Sequence, residues 1–145
     1  REVVVDAPHP THGQHAFRAA LPADMDNDGR PDLVVVMTWA IGVLWNEPTT
    51  GLPADMSSVL TTNMGKSLQG AVVLDHDGDG DLDIVVGSED GYNVLTNDGS
   101  RGFVDAFVPD GVLENSDHAT AADFDADGNT VLEGSGITLR RAADA

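Results

Sequence analysis

Asp75-His76-Asp77-Gly78-Asp79-Gly80-Asp81-Leu82-Asp83-Ile84-Val85-Val86 sets five carboxylates in nine residues and then turns at once into a β-branched run. Fifty-one positions earlier the pattern is Asp24-Met25-Asp26-Asn27-Asp28-Gly29-Arg30-Pro31-Asp32, followed by Leu33-Val34-Val35-Val36. The same offset carries Val43-Leu44 onto Val94-Leu95, Asn46 onto Asn97 and Gly51 onto Gly102. One spacing that relates separate segments is the mark of an internal repeat. A third copy opens at Asp123-Phe124-Asp125-Ala126-Asp127-Gly128 and then departs, with Val131 at the place of Asp32 and Asp83.

Outward from the acidic loop the pattern is β throughout. Small and apolar residues, Gly70 to Leu74, precede it, and the β-branched stretch Leu82 to Val86 leaves it. Gly87 to Gly91 make a turn, a third strand follows at Asn93 to Leu95, and Asn97-Asp98-Gly99-Ser100 has hairpin-turn composition. A fourth strand is expected at Phe103 to Val108. Four short antiparallel strands in ~50 residues is the size of one propeller blade. Helical periodicity is absent over any useful length. The expectation is an all-β chain of propeller-type, four-stranded blades: one repeat domain over residues 1–145, in units 15–65, 66–115 and 116–145, the last degenerate or truncated.

The bulk properties agree with a folded, cation-seeking chain. Its 145 residues, 41% of them hydrophobic, suffice for a real core, so this is not a disordered acidic tail. The formal net charge is −18, and Lys66 is the single lysine. Such a surface repels phosphate, which argues against nucleic acid and anionic membrane as partners. No apolar run reaches the ~18–20 residues that cross a bilayer, and without cysteine there is no disulfide or thiolate metal site. The start at Arg1 rather than Met is what a processed or excised product would show.

Twelve of the twenty aspartates fall in the three loops. Crowding like charges costs free energy unless a cation neutralises them. Ca²⁺ takes six to eight oxygen ligands, and alternate aspartates on a curled backbone can converge on one such ion. Candidate ligands are therefore Asp24, Asp26, Asp28 and Asp32 in the first loop, with the Arg30 carbonyl at its seventh position. The second loop offers Asp75, Asp77, Asp79 and Asp83 with the Asp81 carbonyl, and the third Asp123, Asp125, Asp127 and the Asn129 carbonyl. Gly29, Gly80 and Gly128 hold the sixth position, where the backbone must bend sharply. The twelfth residues, Val35, Val86 and Gly134, are not Glu, and strands rather than helices flank the loops, which excludes an EF-hand. Two calcium sites are expected, with the third loop a further candidate that lacks its closing carboxylate. At roughly millimolar calcium and a dissociation constant of about 10⁻⁴–10⁻³ M, each site adds about 0.4–1.4 kcal/mol, a structural contribution.

Asp24-x-Asp26-x-Asp28-Gly29-x-x-Asp32-Leu33, Asp75-x-Asp77-x-Asp79-Gly80-x-x-Asp83-Ile84 and the downstream Val94 to Phe103 resemble the FG-GAP/VCBS repeat family, over residues 15–130. The resemblance implies four-stranded blades with the ion in the loop between the first two strands. It also implies an extracellular, cell-surface or otherwise exported setting, and binding or adhesion rather than catalysis. Because a closed propeller needs about four to eight blades, three units imply a fragment, an open array or a ring completed by self-association. Expected partners are calcium and an extracellular protein or glycan. An accessory propeller of an extracellular carbohydrate-active enzyme is the alternative.

The remaining polar and aromatic residues carry weaker signals. His9, His12 and His15 recur every third residue, but Pro10 denies them a shared helical face, so solvated loop histidines are expected. His76 is expected to face solvent and His118 to be structural. Trp39 and Trp45 read as one face of a strand, packing between blades rather than forming a sugar platform. No nucleophile elbow or other local catalytic arrangement is present.

Overall fold

The computed structural model describes residues 16–53, 58–60, 67–88, 91–109, 119–122, 131–134 and 137–140. All regular structure among them is β. The first blade is the antiparallel meander β1 (Phe17–Ala23), β2 (Asp32–Met37), β3 (Ala40–Leu44) and β4 (Ser58–Leu60). The second repeats it as β5 (Leu68–Leu74), β6 (Asp83–Ser88), β7 (Gly91–Asn97) and β8 (Phe103–Pro109). The third sheet has three strands, β9 (Ala119–Ala122), β10 (Val131–Gly134) and β11 (Ile137–Arg140), in the order β11-β10-β9.

The sequence repeat is a repeat of register. Leu33 pairs with Leu44 in the first blade and Ile84 with Leu95 in the second. A bulge opens at the equivalent start of each first strand, after Phe17 and after Leu68. The first strands lie next to one another, β5 touching β1 on one side and β9 on the other. That is the arrangement of propeller blades whose innermost strands share an axis, and the three sheets among the described residues do not close a ring.

Burial follows from the pleat. In β2 every residue from Leu33 to Met37 is apolar, because both faces of this central strand are covered. Val34 and Val36, with Ile41 and Val43 across the pair, point to the second blade; Val35 and Met37, with Ala40 and Leu44, form the opposite face. From the second blade Ile84, Val86 and Leu95 complete the shared core, with Leu68 and Ala71. Val72, Leu74, Val85 and Val94 build the second blade's other face. Thr38, in the β2–β3 turn, adds polar stitching: its amide bonds Ala16 O at 2.9 Å, and its carbonyl receives the Leu68 amide at 2.7 Å.

Trp39 lies in that turn rather than on a strand, because the β2–β3 hairpin reverses at Thr38 and Trp39. Trp45 follows β3 directly and is buried in the inter-blade core, the packing role expected of it. The shared strand face read from the alternation therefore does not form. His9, His12, His15 and His118 lie outside the described residues.

Candidate metal centre

Each acidic loop joins the first two strands of its blade, β1 to β2 and β5 to β6. In the first, one carboxylate oxygen each from Asp24, Asp26 and Asp28 lies within 4.8 Å of the others. In the second, Asp75, Asp77 and Asp83 converge in the same way. The third loop, with Asp123, Asp125, Asp127 and Asn129, lies outside the described residues.

The loops curl because their own aspartates hold the backbone amides. Asp24 accepts from Asp28 N at 3.0 Å and Gly29 N at 2.9 Å. Asp75 accepts from Gly78 N at 2.6 Å and Gly80 N at 3.3 Å. Further round, Asp28 accepts Arg30 N, Asp77 accepts Asp79 N and Asp79 accepts Asp81 N. These are Asx-type turns, in which a short carboxylate replaces the missing backbone partner. Two positions in each loop take positive φ: Asn27 (57°) with Gly29 (85°), and Gly78 (84°) with Gly80 (98°). The sixth-position glycine was legible in the sequence. The need at the fourth position is not legible from the spacing, although Asn and Gly are the residue types that tolerate that conformation.

The closing carboxylates have a structural task of their own. Asp32, 2% exposed, receives Met25 N at 3.0 Å on one oxygen and Asn46 N at 2.7 Å on the other. Asp83, fully buried, receives His76 N at 2.7 Å and Asn97 N at 2.8 Å. Each thus ties the start of its acidic loop to the end of the blade's third strand. Burial raises the pKa of both above the ordinary aspartate value, while the two amides pull it down. His76, expected in solvent, is half-buried because this strut draws its backbone inward. Asn46 and Asn97 then turn their amides back to the acidic loops, onto Pro31 O at 3.0 Å and Leu82 O at 3.1 Å.

The first loop is also bound to the second blade. Met25 is buried in the shared core, and its carbonyl receives Asn97 Nδ2 at 2.7 Å. Asn27 Nδ2 donates to Asp81 at 2.6 Å, and Arg101 donates to Asp26 from Nε at 2.9 Å and Nη2 at 2.6 Å. Arg30 and Asp81, expected to offer carbonyls, engage through their side chains as well: the Arg30 guanidinium pairs with Asp28 and bonds Asn46 O at 2.9 Å.

An all-oxygen set of converging carboxylates suits a hard divalent cation. One atom sharpens the fit. Asp26 Oδ1 is buried and has no hydrogen-bond partner, which is costly for a carboxylate oxygen unless a cation meets it.

Fold and loops together define the class: tandem antiparallel β blades, each carrying an aspartate-rich loop between its first two strands. Residues 24–86, from the first loop to β6, match the family model of the FG-GAP-like repeat, in keeping with the propeller-type blades that hold them. No curated protein and no solved structure matches it.

Proposed function

We propose that this chain is a calcium-binding propeller repeat module in which Ca²⁺ stabilises the acidic loops and the blades present a binding or adhesive surface. The observation that carries the reading is the convergence of three carboxylates within 4.8 Å in the same loop of two blades, the third being Asp28 in one and Asp83, the counterpart of Asp32, in the other. Asp24, Asp26 and Asp28 would hold the ion in one loop, and Asp75, Asp77 and Asp83 in the other. Calcium supplies no redox chemistry; bound there, it neutralises charge and fixes the loop. The module acts by binding rather than catalysis, and an extracellular or cell-surface setting, where calcium is roughly millimolar, suits sites of modest affinity. No helix among the described residues is long and apolar enough to cross a membrane.

An accessory role in carbohydrate processing would call for exposed aromatic platforms. Trp45 is buried, with the Arg101 guanidinium 4.7 Å from its ring centroid, so that ring offers no such platform, and the first reading is favoured. Thermal unfolding in excess calcium, in chelator and in magnesium tests it. Calcium is expected to raise the midpoint by about 2–4 °C per kcal/mol of binding stabilisation, with magnesium well behind. An unchanged midpoint in all three would reduce the loops to acidic turns.

A further inference from the structure

The two loops share a backbone but not a charge. Arg30, at the seventh position of the first loop, is replaced at the equivalent place in the second by Asp81. The first loop therefore sets four carboxylates against two guanidiniums, Arg30 on Asp28 and Arg101 on Asp26. The second sets the same four carboxylates and a fifth beside them, Asp81, whose side chain accepts from Asn27, and among the described residues no basic side chain pairs with any of the five.

Arg101 belongs to the second blade, in the turn between β7 and β8, yet its contacts lie on the first. It donates to Asp26 Oδ2 through two nitrogens, gives Nη1 to Glu47 at 2.6 Å and stacks over Trp45. The bracing is built in three directions, and it leaves the other oxygen of Asp26, a carboxylate only 10% exposed, buried and unpartnered. Calcium affinity in oxygen sites follows the number of ligand charges and the rigidity of the site.

Resting on the calcium reading above, we propose that the two loops are unequal cation sites and that Arg101 sets the affinity of the first. The second loop is the tight site. The first is partly neutralised by a guanidinium from the neighbouring blade and loads at higher calcium. Its occupancy is tied to the Arg101–Trp45 stack, so the junction between blades senses calcium in the range where the first loop fills.

Calorimetric calcium titration of the full chain tests this, with Asp26→Asn and Asp77→Asn assigning each class of site. The expected result is two classes at least about tenfold apart, the tight one deleted by Asp77→Asn and the weak one by Asp26→Asn. Arg101→Gln should tighten the weak class about tenfold and leave the tight one unchanged, whereas Arg101→Lys, which keeps the charge, should move it much less. Trp45 emission, read in a Trp39→Phe background, should follow the weak class alone and lose that response in Arg101→Gln. Equal classes in the wild type, or a weak class that Arg101→Gln leaves unmoved, would overturn the inference while the calcium reading stood. Absence of any calcium heat would remove both. If Arg101→Gln does not fold, Arg30→Gln, whose partners lie within the first blade, carries the charge test, and a Trp45 signal indifferent to calcium still counts against Arg101.

Discussion

Asp83 shows how one side chain can do two things in a repeat of this kind. It is buried, so ionising it costs desolvation, and two backbone amides offset that cost, one on each oxygen. In Asp83→Asn one oxygen becomes an NH₂ that faces an N–H, leaving a buried donor unmet. The expected loss is about 1.5–3 kcal/mol, measured by urea unfolding in chelator, so that any ligand role is set aside. Asp32→Asn should behave alike, since its two amide partners are equivalent. A stability unchanged in chelator would mean the carboxylates serve the ion and not the fold. Gly80 supplies a contrasting case. Its φ of 98° is hostile to a side chain, yet a Cβ there would meet nothing within 4 Å. Gly80→Ala should therefore cost about 1–2 kcal/mol through backbone strain alone. It should also weaken calcium binding in the second loop while sparing the first, which separate titrations of the two loops would show.

At the scale of the strand, the difference between core and surface is sharp enough to predict. Ile84 is fully buried and faces the first blade, whereas Val104, on β8, is 67% exposed. Ile84→Ala should cost about 2–5 kcal/mol and Val104→Thr less than about 0.5 kcal/mol, compared by denaturant midpoints. These strands were legible because β pairing imposes a period of two and turns need Gly, Asn and Asp, both of which show in one chain. The second blade's expected strands at Gly70 to Leu74, Leu82 to Val86, Asn93 to Leu95 and Phe103 to Val108 correspond to β5 through β8, each within a few residues. The sixth-position glycines, Gly29 and Gly80, were legible for the same local reason. What escaped was non-local. Nothing in the spacing says that Asp32 would receive Asn46 N, fourteen residues on, or that Arg101 would reach Asp26, seventy-five residues back. Trp39 was misplaced because an alternating run looks the same whether a strand continues or reverses through a tight turn.

For the molecule as a whole, the relevant fact is that the first two blades share their largest core cluster, besides the smaller one each keeps on its other face. Met25, Val34, Val36, Ile41, Val43 and Trp45 of the first blade pack in one cluster with Leu68, Ala71, Ile84, Val86 and Leu95 of the second. Polar bonds cross the same junction at Asn97 to Met25 O, Asn27 to Asp81 and Leu68 N to Thr38 O. In repeat proteins stability divides into intrinsic and interface contributions, and a large interface share makes neighbours unfold together. The two blades are thus expected to melt in one transition, with either loop's ion stabilising both. Asp77→Asn, a change confined to the second loop, should lower the calcium-dependent midpoint of the first blade as much as of the second. Amide hydrogen exchange resolves this residue by residue. Under conditions of global opening, protection in β2 and β3 should fall in step with protection in β6 and β7. If Asp77→Asn lowers protection only in β6 and β7, the cluster does not couple the blades, and calcium acts on each repeat alone.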